Sequence, residues 1–302
     1  MRSLIFSSAV LLGAFSSGMV TAQPPQALAP AVPSAGAFLN ITPKRLTFDR
    51  SRRNGTVFIL NQGTEAVTVD LMVTDRVMFP DGQIFPIEDA VKRENGKLVT
   101  DQLRSAKDLI QISPRRVTLE PGRPQTVRIR LGSMPDPTLG EYRSHLTVTT
   151  IPPRDTGTTP EIAASGAQSQ MSFQIVAVYG LSIPLIVRPG DPDVRASIEG
   201  AQIEYAAAQA SRPQERPAPV LALDLVRQGT SSAYGNFDVR VVGARRGSDP
   251  LGAVRGVAVY PEIARRKVRI PLSRGPAPGE RLEITFTDDD SSPGKVIAKA
   301  AL

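Results

Sequence analysis

His145 is the single histidine of the chain, and cysteine is absent. A Ser-His-Asp site would have to use His145, and no Gly-x-Ser-x-Gly elbow accompanies it. In Glu141-Tyr-Arg-Ser-His-Leu-Thr-Val148 it falls opposite in phase to Tyr142 and Leu146, which predicts an outward-facing strand residue. Thiol catalysis and thiolate metal sites are excluded with the cysteines. Asp288-Asp-Asp290 groups three carboxylates but lacks the spaced oxygen ligands of a calcium loop, and it reads as a solvated turn. Phosphate-loop and dinucleotide fingerprints are missing. Paired carboxylates occur in any chain of this length, so none is evidence of glycosidase chemistry. No catalytic residue, metal ligand or cofactor is therefore assigned, and the expectation is a protein that is not an enzyme.

What remains is recognition. Lys plus Arg exceed Asp plus Glu by 7, and arginine dominates the basic set. Nucleic-acid binding needs a basic patch, usually with a recognisable fold or stacking aromatics. Here the arginines are scattered along strand patterns and only 5% of residues are aromatic. The arginines read as solvent-face residues, with a few at an anionic protein contact.

The elements that must position such contacts are strands. Residues 1–22 read as a secretory signal: Arg2 is the n-region, Leu4 to Phe15 the apolar core, and Val20-Thr21-Ala22 the cleavage site. No later segment is long and apolar enough to cross a bilayer, so an exported protein without stable membrane insertion is expected. Residues 23–37 form a Pro/Ala leader. Short apolar runs follow, at Thr56–Leu60, Val67–Val73, Val127–Leu131 and Tyr142–Val148, separated by Gly and Pro turns such as Asn61-Gln-Gly63, Pro80-Asp-Gly82 and Pro121-Gly122. That spacing predicts an antiparallel sandwich over 38–188. Residues 88–108 are polar and predict a short helix or a long loop. Arg188-Pro-Gly-Asp-Pro192 marks a boundary, and strand patterns resume over 189–302. The fold class is all-β, with two sandwiches in tandem.

One stretch stands apart. From Phe173 to Val187 every odd position is apolar, namely Phe173, Ile175, Ala177, Tyr179, Leu181, Ile183, Leu185 and Val187. Period-two patterning marks a strand with one greasy face, but strands usually run about 5–6 residues. Part of this one can therefore have its partner in another protein. Pro184 suits an edge strand, because proline cannot donate to the ladder, and a long apolar edge is a hazard unless it has a use. The preceding stretch, 152–172, is polar and turn-rich and suits a segment that orders on binding.

Four segments in sequence resemble the PapD-like periplasmic chaperones of pilus assembly. They are Ile41-Thr-Pro-Lys-Arg-Leu-Thr-Phe48; Ser113-Pro-Arg-Arg-Val-Thr-Leu-Glu-Pro-Gly122 with Gln125-Thr-Val-Arg-Ile-Arg130; Glu141-Tyr-Arg-Ser-His through Thr150-Ile-Pro-Pro153; and the long strand ending Val187-Arg188-Pro189. Order and spacing agree over about 38–190. The resemblance implies two immunoglobulin-like sandwiches set as an L, with the subunit bound near the cleft. It also implies β-strand addition, in which the chaperone lends an edge strand to a subunit lacking its last one.

Aligned on Arg188-Pro189, the resemblance makes Phe173, Ile175, Ala177 and Tyr179 the donated side chains, with Leu181 to Val187 read as home core; the alternative is that all eight odd positions fill this domain's own core. Arg45, three residues before Phe48, matches one of two basic residues that hold the subunit's C-terminal carboxylate in the family; the alternative is an exposed strand arginine. The family's second anchor, a lysine, aligns with Pro184, which cannot bind a carboxylate, so the anchoring departs from the family pattern here. Arg188 and Glu141 align with an ionic bridge between the domains, with Asp289, or Asp288, as the third member. Such bridges are better evidence for fixed geometry than for stability.

The function implied is a periplasmic chaperone that stabilises pilus or fimbrial subunits through residues 172–188 and passes them to an outer-membrane usher. The alternative is a structural or adhesive envelope protein that self-associates through the same strand. A self-capping dimer is a further way for the free protein to cover this edge.

Overall fold

The structure is a computed structural model that describes residues 38–152, 178–206, 218–245 and 247–302. The apolar alternation becomes sheet where the turn signals bracket it. In the first sandwich the strands are β1 (Leu39–Thr42), β2 (Leu46–Phe48), β3 (Asn54–Asn61) and β4 (Val67–Thr74). An insertion then contributes β5 (Arg76–Met78), β6 (Ile84–Pro86), α1 (Ile87–Ala90) and α2 (Gly96–Asp101). The sandwich closes with β7 (Ile110–Ser113), β8 (Arg116–Leu119), β9 (Pro124–Leu131), β10 (Tyr142–Thr150) and β11 (Gly180–Val187). Its two sheets run β1-β3-β9-β7 and β2-β11-β10-β4-β8.

The second sandwich comprises β12 (Ala196–Ala206), β13 (Ala218–Arg227), β14 (Ala233–Val241), β15 (Gly252–Val259), β16 (Arg265–Pro271), β17 (Leu282–Asp288) and β18 (Val296–Ala301). Its sheets run β12-β13-β16 and β15-β14-β17-β18. The all-β, two-sandwich architecture is the one the strand pattern predicts. All described residues belong to one compact unit, and no helix among them is long and apolar enough to cross a membrane.

Each sandwich has its own core, because alternate residues of both sheets point inward. Phe48, Val57, Ile59, Val69, Leu71, Val127, Ile129, Leu146 and Val148 fill the first, joined by Ile183, Leu185 and Val187 of β11. Phe237 and Phe286, with ring centroids 4.6 Å apart, centre the second among Leu221, Leu225, Val239, Ile270 and Ile284. Ile186 and Met78 cross this division. Both belong to chain segments of the first sandwich, yet they pack in the second core.

The insertion between β4 and β7 is where a helix or loop was expected. It forms a hairpin and two short helices around Val77, Phe79 and Ala90, with Phe85, Ile87, Val99 and Leu103 packed on them. Gly96 is required there, since a Cβ would fall 1.8 Å from the Ala90 carbonyl oxygen. The hairpin tip touches the second sandwich, where the Lys267 N–H donates to the Pro80 carbonyl at 2.7 Å.

Candidate functional site

The β11 strand pairs with β10 along its whole length, from Gly180 opposite Thr149 to Val187 opposite Tyr142. The ladder extends one residue further: Tyr179 N–H donates to Thr150 Oγ1, and Thr150 N–H donates to the Tyr179 carbonyl, both at 2.9 Å. The other edge is different. The short β2 runs parallel to β11 and meets only Leu185, Ile186 and Val187. Upstream of Leu185 no described strand covers that edge. Pro184 stands where the second ladder ends, consistent with its missing N–H.

Side chains follow the same division. Ile183, Leu185 and Val187 are buried and Leu181 packs partly on the core, whereas Gly180 and Ser182 are exposed. Tyr179 is half-buried, and Val178 is 56% exposed. Phe173, Ile175 and Ala177 lie outside the described residues.

The even residues of β11 face away from the first core, and of these Ile186 packs in the second. Ile186 is opposite Arg143 of β10, and Pro184 is opposite His145. In β2, Thr47 is opposite Ile186, and Arg45 precedes it by two residues. Strand alternation thus brings Arg45, Arg143 and Arg188 to one sheet face. There they meet carboxylates, the pairing that lets a buried guanidinium stay charged.

Arg188 Nε donates to Glu141 Oε2 at 2.8 Å, and its Nη2 lies 2.7 Å from Asp290 Oδ2. Ser232 closes the ring, its hydroxyl and N–H both donating to Glu141 Oε2 at 3.0 and 3.2 Å. Burial disfavours the charged guanidinium, but the carboxylates of Glu141 and Asp290 outweigh it and raise the Arg188 pKa. The third carboxylate is therefore Asp290 and not Asp289, which is exposed. Local chain geometry sets this choice. Asp288 ends β17 buried and caps the following turn, accepting from Asp290 N–H at 3.0 Å, Ser292 N–H at 2.7 Å and the Ser291 hydroxyl at 2.6 Å. The turn lifts Asp290 into the contact, so strand alternation no longer counts correctly past Asp288. The solvated turn expected at 288–290 is in this respect a buried cap.

Arg45 is not an exposed strand arginine. Its side chain is 10% exposed, its Nη2 donates to Asp290 Oδ2 at 3.0 Å, and its guanidinium lies 4.3 Å from the centre of the Tyr234 ring. Its Nε and Nη1 are buried with no hydrogen-bond partner among the described residues. Lys44 faces elsewhere, exposed and bonded to Asn40. Beside the bridge, Thr47, Arg50, Arg52, Arg188, Asp191 and Asp290 line a polar cleft.

A second charged contact was not anticipated. Arg143, 1% exposed, pairs with the equally buried Glu262 of the β15–β16 turn. Its guanidinium also donates to the Arg76 carbonyl at 3.0 Å and stacks 4.0 Å from the centre of the Tyr260 ring. Glu262 Oε1 further accepts from Met78 N–H at 2.9 Å. His145 lies within this cluster and not outward in solvent. It is 1% exposed, with Nε2 3.3 Å from Arg143 Nη1. Burial, then the charges of Arg143 and Arg76, hold its pKa well below the ordinary value of 6.5. His145 does point away from the first core, but the second sandwich and the insertion cover that face. The only sequence signal was the coincidence of Arg143 and His145 on one strand face.

No family model matches the chain, and no curated protein matches it in sequence. Solved structures do. The chain is similar to the YadV chaperone at 12% identity and a TM-score of 0.39, over 88% of this chain and 98% of that one. It is similar to the E. coli chaperone DraB at 14% identity and a TM-score of 0.37, over 87% and 97%. A chain of the CsuC–CsuE chaperone–tip adhesion subunit pre-assembly complex, from archaic chaperone-usher Csu pili of Acinetobacter baumannii, is similar at 15% identity and a TM-score of 0.38, over 87% and 96%.

Proposed function

We propose that this protein is an exported, periplasmic chaperone that binds subunits of surface fibres by lending them the edge of β11 and the residues before it, and then delivers them to an outer-membrane usher. The observation that carries the reading is the half-covered strand. From Tyr179 to Pro184, β11 is held by β10 on one side and offers its main-chain groups on the other. Main-chain pairing on that edge supplies affinity, and alternate side chains supply specificity. Phe173, Ile175, Ala177 and Tyr179 are the side chains proposed to enter the subunit. Release needs no nucleotide if a subunit's own extension replaces them with a better fit.

Arg45 is the proposed anchor for the subunit's C-terminal carboxylate, by exchange. Arg45 and Arg188 share Asp290 Oδ2 in the free protein. An arriving carboxylate would take Asp290's place on Arg45, while Arg188 keeps Asp290 neutralised. An arginine grips a carboxylate through two parallel charge-assisted bonds, which would also engage the Arg45 nitrogens that now lack partners.

The test is co-expression with a candidate subunit. Ile175→Asp combined with Tyr179→Asp should leave a folded protein that no longer stabilises the subunit; undiminished recovery would count against strand lending. Asp290→Asn should strengthen capture of a peptide bearing a free C-terminal carboxylate, and Arg45→Ala should abolish the gain. If Asp290→Asn leaves capture unchanged, the exchange is wrong even where strand lending holds. A dimer of the Ile175→Asp, Tyr179→Asp variant as stable as that of the unaltered protein would rule out self-association through this strand.

A further inference from the structure

The solvent face of the β1-β3-β9-β7 sheet carries arginines without carboxylates. On β9, Arg128 and Arg130 are both exposed. Across the strands, Arg128 is flanked by Thr56 and Ser113, and Arg130 by Asn54 and Gln111. Neither arginine has an ion-pair partner among the described residues. Further along the same face Phe58 is 47% exposed, beside Thr126.

Several arginines on other sheets are paired with carboxylates. Arg265 reaches both Glu199 and Asp224 at 2.7 Å, and Arg269 reaches Glu204 at 2.6 Å. Arg255 pairs with Asp238 at 2.8 Å, and Arg116 with Asp70 at 2.6 Å. These arginines are neutralised in place, and Arg227, Arg240 and Arg266 are tied to backbone carbonyls, whereas Arg128 and Arg130 are left open on one face.

We infer that this face docks an acidic protein surface, with carboxylates set against Arg128 and Arg130 and an apolar socket for Phe58. Charge complementarity selects the occupant. A second copy is disfavoured because the chain carries a net charge of +7. The guanidinium fork matches a carboxylate in two bonds, and the neighbouring Thr56, Ser113, Asn54 and Gln111 offer hydrogen bonds at fixed strand spacing. An anionic lipid surface is the competing occupant. It would call for several apolar side chains that insert, and this face projects one.

The probe is poly-L-glutamate, titrated into the isotopically labelled full chain. Amide shifts should concentrate on residues 54–58, 111–113 and 126–130. Arg128→Gln with Arg130→Gln should weaken binding about tenfold, the loss of two exposed charge contacts. Lys92→Gln with Lys299→Gln removes the same charge from exposed sites elsewhere and should change it less than about twofold. Equal losses in the two variants would mean general charge attraction and overturn the proposal. Shifts centred on another face would do the same. Tighter binding to phosphatidylglycerol vesicles than to poly-L-glutamate, lost in the Arg128 and Arg130 variant, would assign the face to lipid and also overturn it.

Discussion

The arginine–carboxylate pairs between the sandwiches and those on the outer face of β12-β13-β16 have nearly the same lengths. Arg188 meets Glu141 at 2.8 Å, and Arg265 meets Asp224 at 2.7 Å. Their surroundings differ. The first pair is 6% and 0% exposed, the second 49% and 23%. Distance therefore says little about what each pair does. Exposed pairs sit in high dielectric and contribute little. Buried pairs have given up hydration and depend on every partner being present. The outer ladder adjusts surface charge, whereas the inner contacts fix how the two sandwiches meet.

The largest effect that would sharpen this contrast comes from Glu262→Ala. It strands the Arg143 charge in a site 1% exposed and removes the acceptor of Met78 N–H. Urea unfolding should show a loss of about 3–5 kcal/mol; a loss below about 1 kcal/mol would break the contrast. An intermediate effect should come from His145. Its folded pKa lies below 6.5, so below that pH the unfolded chain binds a proton that the folded chain refuses. Stability should then fall as pH drops from 6.5 toward the folded value, by at most about 1.4 kcal/mol per pH unit. His145→Gln should flatten this part of the profile, and an unchanged slope would refute the assignment. The smallest effect is expected for the Arg269–Glu204 pair, where a double-mutant cycle should return about 0.2–1 kcal/mol, reduced further by salt. A coupling as large as that of the buried pairs would erase the distinction.

The sequence made the local features legible. Ile183, Leu185 and Val187 announce a home-core face by alternation, and Pro184 announces an edge strand. The meeting of Arg188 with Glu141 came through resemblance to a family, since 47 residues separate them and no periodicity links them. What escaped was decided by contact between distant segments. Arg143 and His145 look like ordinary outward strand residues, and the second sandwich, through Glu262 and Tyr260, buries them together with the insertion, through Arg76. Ile186 reads as a surface position of its own strand but completes a different core. Asp290 escaped because a capped turn breaks the count that strand phase provides.

The crossing of Ile186 has a mechanical consequence. Along β11, Leu185 and Val187 are seated in one core and Ile186 in the other, and the chain then runs directly into Arg188. A tug applied to the strand near Tyr179, along its axis, would load the β10 ladder in shear, with all of its rungs strained together and none peeled in turn. Its far end is riveted to both bodies at once. The strand can thus be gripped at one end without working loose at the other.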